Sequence, residues 1–183
     1  MLIRQIEEKD LALLIPFMKK TWQQTYPLFC KEEPSLLEST FTPEKIKAAM
    51  AGKGNIFFGA FQNDILVGYA LLKLEPAKSF LDKIYVDTHL QRQGIGKQLL
   101  AACFKQALHS DLISMGLYVE DTNAKALSFY EKHGFSRHPI KRLYPSTSAK
   151  LYYDYLMICK DVKQALILLQ GKTTPQSELS VKI

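Results

Sequence analysis

The residues with the clearest chemical potential stand in "QRQGIGK", Gln91 to Lys97, where Gly94 and Gly96 open an apolar-periodic helix. The first N–H groups of a helix have no internal partner and point toward the incoming chain, while the aligned peptide dipoles favour negative charge there. The two glycines let a diphosphate approach without a Cβ in the way, and Arg92 and Lys97 add positive charge, Arg92 with a planar fork suited to phosphate. The turn is thus built to hold an anion, or is simply a tight start to a helix. Two common phosphate motifs are excluded. A dinucleotide fingerprint wants glycine at 99, where Leu99 stands; a P-loop wants four residues between its glycines, where only Ile95 stands, and Ser or Thr in place of Gln98.

A second group lies in "YVEDTNAKALSFYEKHGF", Tyr118 to Phe135. Asn123 can start a helix on which Tyr130 follows two turns later, so an amide and a phenol can line one groove. A phenol, with an ordinary pKa near 10, stays protonated at neutral pH and can give a proton to a leaving thiolate as general acid. The other reading makes Asn123 an N-cap and Phe129 and Tyr130 packing residues. His89, His109, His133 and His138 show no metal-ligand spacing, and no metal is implied.

The elements that must position these groups follow from the hydrophobic period. Leu2 to Ile6 reads as a strand, then a helix capped by Asp10 runs to about Gln23, its middle disturbed by Pro16. Thr42 and Pro43 start a second helix ending at Ala51. Asn55 to Phe61 and Ile65 to Leu74 form a hairpin around Gln62-Asn63-Asp64, Glu75 to Ser79 turns the chain, and Leu81 to Val86 is a strand. The stripe Ile95, Leu99, Leu100, Cys103, Phe104, Ala107 makes the best helix; Leu112 to Val119 is a strand. The helix after Asn123 ends at Gly134, and Phe135 to His138 with Leu151 to Cys159 close the fold across a polar loop holding Pro145 and Ser146. A polar tail that frays follows Gly171. The order predicts a mixed α/β (α+β) layer fold, with one domain over residues 1–160 and a helix or tail extension over 161–183.

Composition bounds the function. The 183 residues, 47% hydrophobic, suffice for one compact core. The net charge of +6 comes from 24 basic against 18 acidic residues without a basic run, which supports attraction to anions in general and gives a nucleic-acid module little else to rest on. Cys30, Cys103 and Cys159 form no CxxC and fit a reducing compartment, and no signal peptide or membrane span is read, so the expectation is a cytoplasmic protein.

The two motifs together resemble the GNAT superfamily of acetyl-coenzyme A dependent N-acetyltransferases, over about residues 2 to 160. In "LDKIYVDTHLQRQGIGKQLL", Gln91-Arg92-Gln93-Gly94-Ile95-Gly96 matches the family's Q/R-x-x-G-x-G/A pyrophosphate turn. "NAKALSFYEKHGF" looks like its asparagine-to-tyrosine helix and following Gly-Phe. The resemblance implies a mixed, mostly antiparallel central sheet with a splayed parallel strand pair, flanked by helices, and acetyl transfer by direct attack in a ternary complex. By it, Ile84, Tyr85 and Val86 line the pantetheine arm, residues Gln91, Arg92, Gln93, Gly94, Ile95, Gly96 and Lys97 wrap the pyrophosphate, and Asn123, Phe129 and Tyr130 face the coenzyme, Tyr130 as general acid. Backbone N–H groups near Tyr85 and Val86 would hold the carbonyl oxygen.

The glutamate that family members often carry as base is Phe80 here, which leaves Asp82, Glu120 or a water relay. For the acceptor, Trp22, Tyr26 and Phe29 can form an aromatic wall, and Asp154 in "YYDYLM" can add an acidic group; that segment and "LDKIYVD" look like the branch including spermidine/spermine acetyltransferases. A polyamine-like primary amine or a peptide is the expected acceptor, with these aromatics as core filling the plain alternative. No nucleic-acid or membrane partner is expected, and a homodimer stays open. The rival within the fold is a non-catalytic protein that binds acetyl-coenzyme A as a regulatory ligand.

Overall fold

The computed structural model describes residues 1–32, 34–144 and 152–171. The chain runs β1 (Leu2–Gln5), α1 (Leu11–Thr25), α2 (Pro27–Glu32), α3 (Pro34–Thr40), α4 (Pro43–Ala51), β2 (Asn55–Gln62), β3 (Ile65–Glu75), β4 (Lys78–Val86), α5 (Ile95–His109), β5 (Met115–Glu120), α6 (Ala124–Lys132), β6 (Ser136–Tyr144), β7 (Tyr152–Cys159) and α7 (Val162–Leu169). The strands form one sheet in the order β1-β2-β3-β4-β5-β7-β6, antiparallel throughout except between β4 and β5. This is the α+β fold with one parallel pair that the sequence and the resemblance led one to expect.

The parallel pair is short. β4 and β5 are in register only at Ser79–Met115 and Phe80–Gly116, although β4 continues to Val86 and β5 to Glu120. The buried Ser79 hydroxyl donates to the Ser114 carbonyl at 2.7 Å beside these two rungs. β4 also carries one residue more than β3 between the pairs Leu71–Lys83 and Leu72–Leu81, so Asp82 is a bulge, which bends a strand and deepens its twist. Two adjacent strands therefore part toward their C-terminal ends, where α5 and α6 begin.

Each sheet face has its own core. α5 and α7 cover one, where Leu72, Leu81, Leu99, Leu100, Phe104, Leu117 and Met157 are buried. α1 and α4 cover the other around Leu14, Met18, Phe57 and Tyr69. Complete burial of Leu99, Leu100 and Phe104 stabilises the fold by roughly 2 kcal/mol each, which fixes α5 against the sheet. Val162, Ala165 and Leu169 of α7 are buried in the same cluster, so this helix beyond residue 160 shares the core of what precedes it. No helix among the described residues is long and apolar enough to cross a membrane.

Several local expectations are corrected. Asp10 does not cap α1 with its side chain; its carboxylate takes Arg4 Nη1 and Nη2 at 2.7 and 2.8 Å and the Glu7 N–H at 2.9 Å, joining β1 to the helix start. Pro16 leaves α1 unbroken because it lies on the exposed face, where water can serve the freed carbonyl. α2 and α3, each opened by a proline at its first position, are too short to show an apolar period. β4 begins at Lys78, since charged Glu75 and Lys78 pair across the tight turn instead of forming a loop. β6 continues past Pro139 to Tyr144: an irregular register between Arg137 and Lys141 on this edge strand accommodates the missing N–H. The loop with Pro145 and Ser146 and the tail after Gly171 lie outside the described residues.

Candidate active site

The parting of β4 and β5 leaves a cavity of about 620 Å³. Phe80 to Tyr85 of β4 and Tyr118 to Glu120 of β5 form two walls; Asn123, Ala126 and Tyr130 of α6 and Trp22, Thr25 and Tyr26 of α1 form the others. Lys73, Glu75, Lys78, Arg142 and Asp154 complete the rim. Ligands of sheets with parallel strands lie at such C-terminal strand ends, where connections leave in opposite directions.

Beside the cavity, the start of α5 has the geometry of an anion cradle. Gly94 is left-handed at φ 81°, no side chain caps the helix, and the preceding Arg92 is also left-handed at φ 64°. A non-glycine residue in that region is uncommon, and successive N–H groups in such turns form concave anion sites. Among the described residues a Cβ on Gly94 would meet nothing within 4 Å beyond its chain neighbours, and the nearest atoms to one on Gly96 would be the Phe129 ring at 3.6 Å and Val86 at 3.8 Å. Space next to the bare N–H groups is open.

The phenols are deeply set. Burial pushes the Tyr130 hydroxyl well above its ordinary pKa, with Tyr26 and Cys103 adding to the shift, so it is a protonated donor throughout the working range. Tyr85 is raised likewise by burial; its hydroxyl is hydrogen-bonded with Tyr26, and its ring stacks on Tyr69 at 5.6 Å. Asn123 Oδ1 accepts from the Ala126 N–H at 3.0 Å, so the side chain caps α6 while lining the cavity. The two sequence readings of Asn123 are compatible.

The carboxylates differ in their partners. Asp82 lies between Lys73 at 2.7 Å and Lys83 at 2.5 Å; burial raises its carboxyl, but the two ammonium groups outweigh that and hold it below the ordinary value. Buried Asp154 accepts from Arg142 Nε and Nη2 at 3.1 and 3.0 Å through one oxygen. The same guanidinium lies 3.5 Å over the Tyr118 ring, which contacts Phe80 at 5.3 Å. Glu120 accepts from the Thr122 hydroxyl at 2.6 Å, and among the described residues no lysine or arginine pairs with it.

Of the residues singled out from sequence, Trp22, Tyr26, Asp82, Ile84, Tyr85, Asn123, Tyr130 and Asp154 all line the cavity. Val86, Phe129 and the segment Gln91 to Lys97 lie outside its wall, with Val86 and Phe129 beside Gly96. Trp22 packs on Tyr26 and Phe41, at 6.0 and 4.9 Å; the side chain of Phe29 is outside the described residues. Sequence reading missed Tyr118, Lys73, Lys83 and Arg142. Tyr118 could have been found, since it alternates with buried Leu117 and Val119 on β5; Arg142 follows a proline in a strand without a clear period.

The model of the Acetyltransferase (GNAT) family matches residues 21–135, a span that contains the α5 mouth, both parted strands and Tyr130. The spermidine N(1)-acetyltransferase of Thermoplasma acidophilum is 30% identical over 139 residues, 73% of this chain and 86% of that protein. The [ribosomal protein bS18]-alanine N-acetyltransferase of Escherichia coli is 31% identical over 108 residues, 58% of this chain and 73% of that one. The crystal structure of PaiA N-acetyltransferase from Thermoplasma acidophilum in complex with coenzyme A superposes with a TM-score of 0.72 at 26% identity, covering 86% of this chain and 96% of that one. With the parted strands and the buried phenol on one cavity and the bare helix mouth beside it, these likenesses show that the chain belongs to the GNAT family of acetyltransferases.

Proposed function

We propose that this protein transfers the acetyl group of acetyl-coenzyme A to a primary amine, of a small polyamine-like molecule or a peptide, by direct attack in a ternary complex. The observation that carries this reading is a wedge between parted strands whose wall holds the Tyr130 phenol, with Phe129, in ring contact with Tyr130, standing next to Gly96 at the uncapped α5 mouth. The diphosphate of the cosubstrate would lie against the N–H groups around Gly94 to Gly96, next to Arg92 and Lys97. Its extended arm would run between β4 and β5 past Ile84, Tyr85 and Val86, with Asn123 and Phe129 on the opposite side.

The amine nitrogen, uncharged, attacks the thioester carbonyl; the C–N bond forms and the C–S bond breaks, with the electron pair leaving on sulfur. Holding both reactants in line supplies much of the rate, and N–H groups on the unpaired edge of β4 near Tyr85 and Val86 would receive the developing oxyanion. Tyr130 would donate its hydrogen bond to the departing sulfur. A thiol near pKa 8.5 is more acidic than this buried phenol, so hydrogen bonding through the transition state is the main contribution.

The amine proton needs an acceptor. Asp82, a candidate base by sequence, is held ionised by two lysines and is a weak one; we assign it the part of orienting Lys73 and Lys83. Glu120, on the β5 wall without a cation partner among the described residues, is the better acceptor, directly or through water. The test is thiol release from acetyl-coenzyme A by the purified protein over a panel of polyamines and peptides. Turnover with at least one amine is expected; tight coenzyme binding without turnover would favour the regulatory rival, and no binding would end the reading.

A further inference from the structure

Resting on that acetyl-transfer reading, we propose that the acceptor amine also bears a carboxylate, and that Arg142 recognises it. The cavity wall carries four carboxylates, Glu75, Asp82, Glu120 and Asp154, against four cations, Lys73, Lys78, Lys83 and Arg142. Glu75 is paired with Lys78 at 3.1 Å, Asp82 with two lysines and Asp154 with Arg142. A polycation would have to displace these internal cations, whereas a molecule with both charges matches the wall as it stands.

Arg142 is set up to meet the negative end. Its Nε and Nη2 donate to Asp154 and its plane rests on Tyr118, so the fork is fixed before anything binds. The Nη1 hydrogens stay outside that pairing, and the side chain is 46% exposed. Guanidinium forks match carboxylates in plane and lose little freedom when already immobilised. Tyr118 and Glu120 alternate on one face of β5, and Glu120 is the register partner of Asp154, which holds the fork, so Arg142 and Glu120 belong to one patch of the cavity lining. A molecule carrying both an amine and a carboxylate can therefore meet Glu120 with one and Arg142 with the other, each through a charge-assisted hydrogen bond of about 2.8 Å. The carboxylate can belong to a free amino acid or to an acidic side chain next to a peptide amino terminus.

The experiment measures kcat/KM with acetyl-coenzyme A for free amino acids beside their decarboxylated amines, for Ala-Glu-amide beside Ala-Gln-amide, and for spermidine. The carboxylate-bearing member of at least one pair is expected to exceed its partner by about 10- to 100-fold, and the pair that does so names the source. Arg142→Gln should erase that ratio mainly by raising the acceptor KM, and Arg142→Lys should not restore it. Equal use of both members of every pair, preference for spermidine, or an Arg142→Gln loss shared by both members would overturn the proposal. The wild-type ratio needs no variant, so it stands as a test even if Arg142→Gln fails to fold. Transfer without carboxylate preference sinks this inference alone, whereas absence of coenzyme binding sinks the underlying reading with it.

Discussion

Replacing Gly94 separates the backbone role of the helix mouth from its role toward a ligand. Gly94 sits at φ 81°, where an L-residue with a Cβ costs about 1–2 kcal/mol, so Gly94→Ala should destabilise the ligand-free protein by about that amount. Asn tolerates the left-handed region better, so Gly94→Asn should cost less in stability. The Cβ that either substitution adds meets nothing within 4 Å among the described residues beyond its chain neighbours. Both would project into the space assigned to the diphosphate. Loss of a single charge-assisted hydrogen bond, about 1.5–3 kcal/mol, corresponds to roughly 10-fold or more in affinity for acetyl-coenzyme A. Calorimetric titration gives the affinity, and thermal unfolding with and without cosubstrate gives both terms. At 100 times the wild-type Kd, wild type should gain about 2.7 kcal/mol from the ligand, and a variant weakened tenfold only about 1.4 kcal/mol. Two variants differing in stability but sharing the affinity loss would place the negative charge at this mouth. If both bind as tightly as wild type, the anion lies elsewhere and the reasoning fails.

Tyr130→Phe should lower kcat by roughly 10- to 100-fold with little change in acetyl-coenzyme A affinity, measured by stopped thiol release and titration; an unchanged kcat removes the phenol from the chemistry. Glu120→Gln should lower kcat/KM for the acceptor, and a value equal to wild type would return the proton to another group. Arg4 holds Asp10 at a pKa of about 2, depressed from the usual carboxylate range mainly by its hydrogen bonds, so the pair adds stability at pH 5 and above that fades as pH falls from about 4 toward 2. Asp10→Asn should remove about 2 kcal/mol at neutral pH and flatten that acid decline, both read from urea unfolding between pH 2 and 7.

Much of the site was readable before the fold because its geometry is local. Gly94, Gly96 and Arg92 act through the backbone of one turn, and Asn123 and Tyr130 through the pitch of one helix, so their relation is fixed over a few residues. Arg142, Asp154 and Tyr118 meet only because β7 lies between β5 and β6, an order that no short window of sequence records. The ion pairs of Asp82 have the same origin: its partners Lys73 and Lys83 stand on two strands of a hairpin with a bulge. In the fold, strong periods such as that of α5 were legible, whereas α2, α3 and the far half of β6 were not. Two prolines at helix starts and one in an edge strand were more informative about where elements begin or bend than about their existence.

The cleft also depends on a residue that lines no part of it. Two rungs and the Ser79–Ser114 hydrogen bond close its narrow end, and past them no further rung joins β4 to β5 among the described residues. Ser79 thus stands where a pair of tweezers has its pivot: the two arms are held together at its hydroxyl and open from there toward the Tyr130 end.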